Sequence, residues 1–196
     1  MKTILILISS LLIFTHNHSY KIGDVAADFS LHNTECEKVS LVDYDDAKGF
    51  IVIFTCNTCP YSVAYEDRII DLDKKYAPKG YPVIAINPND PAAKDGEQLI
   101  DMKARAADKG FTYSYFQDIG QPVQPKDWAT RTPHVFILEK QEKGNVVQYI
   151  GAIDDSSRNP EKVKQRYVED AVDALLAGQL PKVTTTKAIG CSIKTL

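Results

Sequence analysis

The sequence predicts an α/β domain built on a mixed central β-sheet, with helices on both faces and an N-terminal β-hairpin extension. Two observations carry this prediction. Strand patterns alternate with helical patterns through the middle of the chain, as in parallel strands joined by helices. Two later strands have the close spacing of an antiparallel hairpin. The length of 196 residues suits one such domain followed by a short tail.

The first elements are an opening hairpin, a buried strand and a helix. Residues 28–31 and 39–41 are short strand patterns with polar turn residues between them. Residues 50–54 form a continuous apolar run of the kind found in strands buried on both faces. The helix that follows ends at residues 78–80, where proline and glycine occur. Its apolar residues recur at helical spacing: Tyr65, Ile69, Leu72 and Tyr76.

The second half of the chain continues the alternation and then changes to a hairpin. In chain order we predict a buried strand at 82–87, a turn at 87–91, a helix through Leu99, Met102 and Ala106 that ends near 109–110, a strand at 113–116, a loop or short helix at 120–128, paired strands at 134–138 and 146–150, and a helix that starts near Pro160. The last helix places Val163, Tyr167, Ala171, Ala174 and Leu175 on one side.

Composition and charge exclude some classes of partner. The chain is 44% apolar and 25% charged, with a formal net charge of -3. Such a composition allows a sizeable core, and no cluster of lysine and arginine has the length of a nucleic-acid footprint. We therefore expect no nucleic-acid partner.

The N-terminal segment resembles a secretory signal peptide. Lys2 precedes an apolar run at 4–14, and residues 15–19 are polar. A short positive region followed by an apolar stretch of about 7–15 residues is the signal-peptide pattern, whereas a membrane span needs about 20 residues. We predict a signal peptide at 1–19 and a periplasmic or secreted protein with no stable membrane insertion after cleavage. The alternative is an uncleaved N-terminal anchor, which also places the domain outside the cytosol.

Cys56 and Cys59 form a Cys-x-x-Cys pair between a predicted strand and a predicted helix. A free thiol is mostly protonated at neutral pH, and the thiolate is the attacking species. Unpaired N–H groups at a helix N-terminus favour a negative charge. We therefore predict that Cys56 is a nucleophile with a stabilised thiolate and that Cys59 resolves the mixed disulfide.

Thr132 and Pro133 stand directly before the predicted hairpin. A proline at this position is compatible with a cis peptide bond. The residue before the hairpin is thus a candidate for a cis bond that is kept for a reason, because such bonds are rare.

Together these motifs resemble the thioredoxin superfamily. The run from Cys56 to Pro60 is similar to its active site, and Thr132-Pro133 is similar to its cis-proline loop. The resemblance implies that Thr132 and Pro133 present a backbone edge to the substrate chain. The opening hairpin resembles the redoxin branch, which includes alkyl hydroperoxide reductase and thiol-specific antioxidant proteins. The resemblance implies a thioredoxin-like domain at 20–180 with a tail at 181–196.

The resemblance also implies an enzyme, a thiol–disulfide oxidoreductase that needs no cofactor. Its partners would be protein or small-molecule thiols and disulfides, together with a redox donor. The alternative within the branch is a peroxide-reducing antioxidant protein. However, the peroxiredoxin motif Pro-x-x-x-Thr-x-x-Cys fits neither Cys56 nor Cys59.

The remaining cysteines and one histidine leave alternatives open. Cys191 is either an accessory redox cysteine or part of a disulfide with Cys36 that staples the tail, because spacing alone does not determine pairing. His134 could join Cys56 and Cys59 in a copper site, as in thioredoxin-fold copper chaperones. The cysteine spacing disfavours that alternative, and we predict no metal site.

Overall fold

The computed structural model describes residues 19–123 and 129–196, and within them the predicted α/β fold is confirmed. The signal segment predicted at 1–19 falls almost wholly outside the described residues, as does most of the loop or short helix predicted at 120–128. The described strands are β1 (Val25–Ala26), β2 (Ser30–Asn33), β3 (Lys38–Ser40), β4 (Gly49–Phe54), β5 (Val83–Asn87), β6 (Ser114–Gln117), β7 (Arg131–Thr132), β8 (His134–Gln141), β9 (Gly144–Gly151) and β10 (Cys191–Ser192). The α-helices are α1 (Pro60–Val63), α2 (Glu66–Tyr76), α3 (Leu99–Lys109) and α4 (Tyr167–Leu176).

Eight strands form one mixed sheet in the order β1-β9-β8-β4-β5-β6-β2-β3. The central strands β4, β5 and β6 are parallel, as the alternation of strands and helices predicts. The hairpin β8–β9 and the opening hairpin β2–β3 are antiparallel. Every residue of β4 is buried, which agrees with its continuous apolar run. The carboxyl end of this central strand therefore leads directly into the loop that carries Cys56 and Cys59.

The helices α2, α3 and α4 supply residues to the core on one face of the sheet. The four apolar residues predicted for α2 are at most 4% exposed. Met102 of α3 and Val168 of α4 pack into the same cluster. Glycine ends α3 as predicted, because Gly110 adopts a left-handed φ of 65°. None of the described helices has the length and apolar composition needed to cross a bilayer.

The opposite face is covered mainly by the N-terminal segment. Phe29, Leu31 and Leu41 pack there against Phe54 and Phe136 of the sheet. The sequence predicts helices on both faces, but in the described parts of the chain the second face has only a single 3-10 turn, Leu41–Asp43. Val123 and Ala129, which flank the residues outside the description, also pack on this face.

The last helix starts later than predicted. It begins at Tyr167, whereas Pro160 begins a 3-10 turn capped by the Asn159 side chain. Val163 is extended, with φ −65° and ψ 124°. The side chain and backbone of Asp155 bind the backbone of residues 164 and 165, and these hydrogen bonds replace a first helical turn.

Candidate redox site

The loop between β4 and α1 holds Cys56 and Cys59 at the edge of the core. The Thr55 N–H donates to the Ile86 carbonyl over 2.9 Å, so the pairing of β4 with β5 continues into the loop. Cys59 is the N-cap of α1, and Pro60 is its first residue, a position that suits proline because no N–H is needed there. Both cysteines are only 4% exposed. The two cysteines therefore lie between strand β4 and helix α1.

The loop of Thr132 and Pro133 lies against both cysteines. Its peptide bond is cis, and Thr132 is fully buried. The Thr132 hydroxyl is 3.1 Å from the Cys56 Sγ, and the Thr132 carbonyl oxygen is 3.3 Å from the Cys59 Sγ. Residues that are more than seventy positions apart in the sequence therefore meet around one buried pair of sulfur atoms.

Cys59 is bonded to Cys191, and Cys56 is a free thiol. The Cα atoms of the bonded pair are 6.1 Å apart. The alternative in which Cys191 staples the tail to Cys36 is wrong, because Cys36 is free and exposed in the turn between β2 and β3. In this state the disulfide links the predicted resolving cysteine to the tail rather than to Cys56.

The tail reaches the site as a short strand. In the antiparallel pair β10–β7, Cys191 lies opposite Thr132 and Ser192 lies opposite Arg131. A Cβ atom at Gly190 would lie 2.0 Å from the Thr132 carbonyl oxygen, so only glycine permits this close approach. The tail thus occupies the backbone edge that the sequence assigns to a substrate chain.

Further contacts hold the tail beyond Cys191. The Lys194 N–H donates to the Asn89 side chain, and the Lys194 carbonyl accepts from the Asp90 N–H, both over 2.9 Å. Ile193 packs against the core on the second face. The backbone of the tail makes these polar contacts, so they depend little on the side chain at 194.

The surroundings of Cys56 disfavour its thiolate in this state. Burial raises the pKa of Cys56, and the nearby Glu97 carboxylate raises it further. Hydrogen bonds to Thr132, the Cys59 backbone and Ser62 act in the opposite direction, but they are weaker. In this state burial and Glu97 therefore oppose the stabilisation expected from the helix N-terminus.

Glu97 is the residue of the site that the sequence analysis misses. It is 0% exposed, and its carboxylate accepts hydrogen bonds from the backbone N–H groups of Asn57 and Thr58. In the sequence Glu97 lies in a polar, turn-rich stretch that is typical of solvated surface. No local signal distinguishes it, because its role depends on residues forty positions away.

His134 does not complete a metal site. It lies opposite Phe54 in the β4–β8 pair, and its ring centroid is 4.9 Å from that of Phe136. Burial, with a smaller contribution from Arg131, lowers the pKa of His134 to about 4. No group of three or more His, Cys, Asp or Glu side chains arranged to hold a metal ion occurs in the described ranges. The copper alternative thus has no assembled ligand set there.

Two solved structures resemble the chain over almost its whole length. One is a hypothetical protein from Sinorhizobium meliloti 1021, with 30% identity and a TM-score of 0.83, covering 91% of this chain and 97% of that chain. The other is an uncharacterized conserved protein from Geobacillus kaustophilus, with 30% identity and a TM-score of 0.82, covering 90% and 93%. No curated protein matches the sequence.

The fold and the family are shown by two further comparisons. A thiol:disulfide interchange protein of the thioredoxin family from Chlorobium tepidum shares 20% identity and a TM-score of 0.51, covering 65% of this chain and 85% of that chain. This similarity shows a thioredoxin-like fold. The sequence pattern of the AhpC/TSA family matches residues 22–149, which is more than half of the chain. The chain therefore belongs to the AhpC/TSA family.

Proposed function

We propose that this protein is a thiol–disulfide oxidoreductase that cycles Cys56, Cys59 and Cys191 against protein or small-molecule thiols. The observation that carries the proposal is the disulfide between Cys59 and Cys191, which lies beside the free Cys56 thiol at one buried threonine, Thr132. Membership in a redoxin family supports it, as does the fold shared with a thiol:disulfide interchange protein. Cys56 and Cys59 are the catalytic pair, and Cys191 is the accessory redox cysteine.

The reaction begins with all three cysteines reduced. The Cys56 thiolate attacks one sulfur of a substrate disulfide, forms a mixed disulfide and releases the first substrate thiol. The Cys59 thiolate then attacks the Cys56 Sγ, which forms the Cys56–Cys59 disulfide and releases the second substrate thiol. Two electrons pass from the cysteine pair to the substrate, and each released thiolate takes up a proton.

The third cysteine then transfers the disulfide to the tail. The Cys191 thiolate attacks the Cys59 Sγ, the bond between Cys56 and Cys59 breaks, and Cys56 leaves as a thiolate that takes up a proton. This exchange involves no net oxidation, and it ends in the observed state with Cys56 buried and protonated. A dithiol donor reduces the Cys59–Cys191 bond with two electrons and restores the three thiols. In the opposite direction, the same steps oxidise a substrate dithiol.

A glutathione redox titration with mass-spectrometric mapping of trapped thiols tests the proposal. We expect Cys59 and Cys191 to exchange as one reversible couple, and Cys191→Ser to accumulate a Cys56–Cys59 disulfide instead. Cys56→Ser should lose turnover with a model disulfide such as 5,5′-dithiobis(2-nitrobenzoate). Cys36→Ser is the matched control and should keep full activity, because Cys36 is exposed and free. Inert Cys56 and Cys59 thiols throughout the titration would overturn the proposal.

Dilute hydrogen peroxide separates this activity from peroxide reduction. A thiol–disulfide oxidoreductase should form its Cys59–Cys191 disulfide slowly under peroxide and rapidly under a disulfide substrate. Rapid, stoichiometric oxidation of Cys56 to a sulfenic acid would instead identify a peroxide-reducing protein and contradict the proposal.

We also propose that the protein works in the periplasm or after secretion. The apolar run at 4–14 behind Lys2 supports this location, as does the disulfide, since disulfides persist in oxidising compartments. The full chain fused to alkaline phosphatase should yield active phosphatase in bacterial cells, because that enzyme matures only outside the cytoplasm. The matched control is Leu7→Arg, which interrupts the apolar run and should abolish phosphatase activity. An inactive wild-type fusion would overturn the proposed location.

A further inference from the structure

Glu97 is a buried carboxylate whose charge is held by hydrogen bonds. It lies in the loop between β5 and α3 and is 0% exposed. Within residues 19–123 and 129–196, no lysine or arginine forms an ion pair with it. A buried carboxylate costs free energy unless donors satisfy its oxygens. The position and number of those donors therefore indicate which part of the structure Glu97 holds in place.

Three of the four donors to the Glu97 carboxylate belong to the two residues between the cysteines. One carboxylate oxygen accepts from the Thr58 N–H over 3.1 Å and from the Thr58 hydroxyl over 2.6 Å. The other accepts from the Asn57 N–H over 3.0 Å and from the Asn87 side chain over 2.8 Å. The Asn57 side chain is fixed in turn, since it donates to the Gly96 carbonyl and accepts from the Tyr115 hydroxyl, both over 3.0 Å.

We propose that Glu97 is a positioning residue for Cys56: it fixes Asn57 and Thr58 and places a buried negative charge beneath the cysteine loop. The N–H groups that follow a cysteine in such a loop can stabilise its thiolate. In this protein those of Asn57 and Thr58 point to Glu97 instead. The role rests on the proposed redox function, because it determines how readily Cys56 gives up its proton.

The charge acts on Cys56 through a poorly screened interior. Charges interact more strongly where water is excluded. Burial is the largest cause of the raised pKa of Cys56, and the charge of Glu97 is the second largest. Three other groups near Cys56 carry no charge. Tyr115 stays a neutral phenol, because burial raises its pKa well above the ordinary value. Thr132 and Ser62 each place a hydroxyl within hydrogen-bond distance of the Cys56 Sγ.

The test is the pH dependence of Cys56 alkylation by iodoacetamide in the fully reduced protein, with the modified residue located by mass spectrometry. Glu97→Gln removes the charge and should lower the pKa of Cys56. Alkylation at pH 7 should accelerate by about tenfold, the change that one pKa unit produces. Glu97→Asp retains the charge and should restore the wild-type midpoint. An unchanged Cys56 profile in a folded Glu97→Gln protein would overturn the proposal.

Asp73→Asn is the matched control. Asp73 is 6% exposed and accepts from the Val83 N–H over 3.0 Å and from the Thr112 hydroxyl over 2.7 Å. Its hydrogen bonds resemble those of Glu97, but they lie at the other end of β5, next to Val83. This variant should leave the Cys56 profile unchanged, and an equal shift in both variants would indicate a general loss of packing and contradict the proposal.

A measurement on the wild-type protein tests the proposal even if the Glu97→Gln variant does not fold. The amide protons of Asn57 and Thr58 should be protected from hydrogen exchange, although Thr58 is exposed, because Glu97 accepts both. Unprotected amides at both positions would overturn the proposal. Alkylation and exchange need no turnover, so a failure of the redox function itself would appear separately, in the glutathione titration.

Discussion

The disulfide between Cys59 and Cys191 should contribute several kcal/mol to the stability of the oxidised protein. The two residues are separated by 132 positions, so the bond closes a very long loop. For a loop of this length the chain-entropy relation gives about 5 kcal/mol at 25 °C, and measured disulfides typically contribute about 2–4 kcal/mol. We therefore expect reduction to lower the free energy of unfolding by about 3–5 kcal/mol.

Urea unfolding of the wild-type protein with and without a phosphine reductant measures this difference. With a slope of about 2 kcal/mol per molar urea, the midpoint should fall by about 2 M on reduction. Cys191→Ser should unfold at the reduced midpoint in the presence of reductant, and Cys36→Ser should behave as the wild type in both conditions. A wild-type midpoint that reduction does not move would refute the reasoning, because it would mean that the tail bond constrains nothing.

Three further substitutions, one of them with a matched control, test the contacts around Thr132 and the half-buried His134. Gly190→Ala places a Cβ against the Thr132 carbonyl and should lower the fraction of bonded Cys191 found by thiol mapping, whereas Ser192→Ala, at an exposed position of the same strand, should not. Thr132→Val removes the hydroxyl 3.1 Å from Cys56, whose hydrogen bond lowers the pKa of that thiol, so alkylation of reduced Cys56 at pH 7 should slow; faster alkylation would contradict this. His134 has a pKa of about 4 in the folded protein against about 6.5 when unfolded. Its contribution to the free energy of unfolding is therefore complete above pH 6.5 and is lost as the pH falls towards 4. This loss amounts to at most about 3 kcal/mol, and His134→Phe should reduce the fall in stability measured by urea unfolding between those pH values.

The sequence predicts the strands and helices best where burial requires a continuous or periodic pattern of apolar residues. Residues 50–54 are all apolar because β4 lies at the centre of the sheet, and all of them are fully buried. The helix through Tyr65 and Tyr76 follows from apolar spacing alone. The start of α4 is different, since Pro160 suits a 3-10 turn as well as a helix. Asp155 decides between them, because its side chain accepts from the Lys164 N–H and its own N–H donates to the Gln165 carbonyl. No local pattern contains that information.

The features of the site also divide into those that the local sequence predicts and those that depend on tertiary contacts. Cys56, Cys59, Thr132 and Pro133 are recognisable because each stands at a junction between elements that the local sequence predicts. The partner of Cys59 is not, because four cysteines allow three pairings and only the tertiary structure selects one. The pKa of Cys56 follows neither from its spacing nor from the helix that it precedes, because it depends on burial and on long-range contacts.

The order of strands in the sheet also bears on how the protein resists self-association. An unpaired edge strand presents free N–H and C=O groups that another chain can pair with. Here the two outermost strands, β1 and β3, have only two and three residues. Without β1, the exposed edge would be β9, which has eight residues and contains the buried Val146, Val147 and Tyr149. The N-terminal segment thus reaches both edges of the sheet and leaves only short ladders on which a second molecule could add a strand.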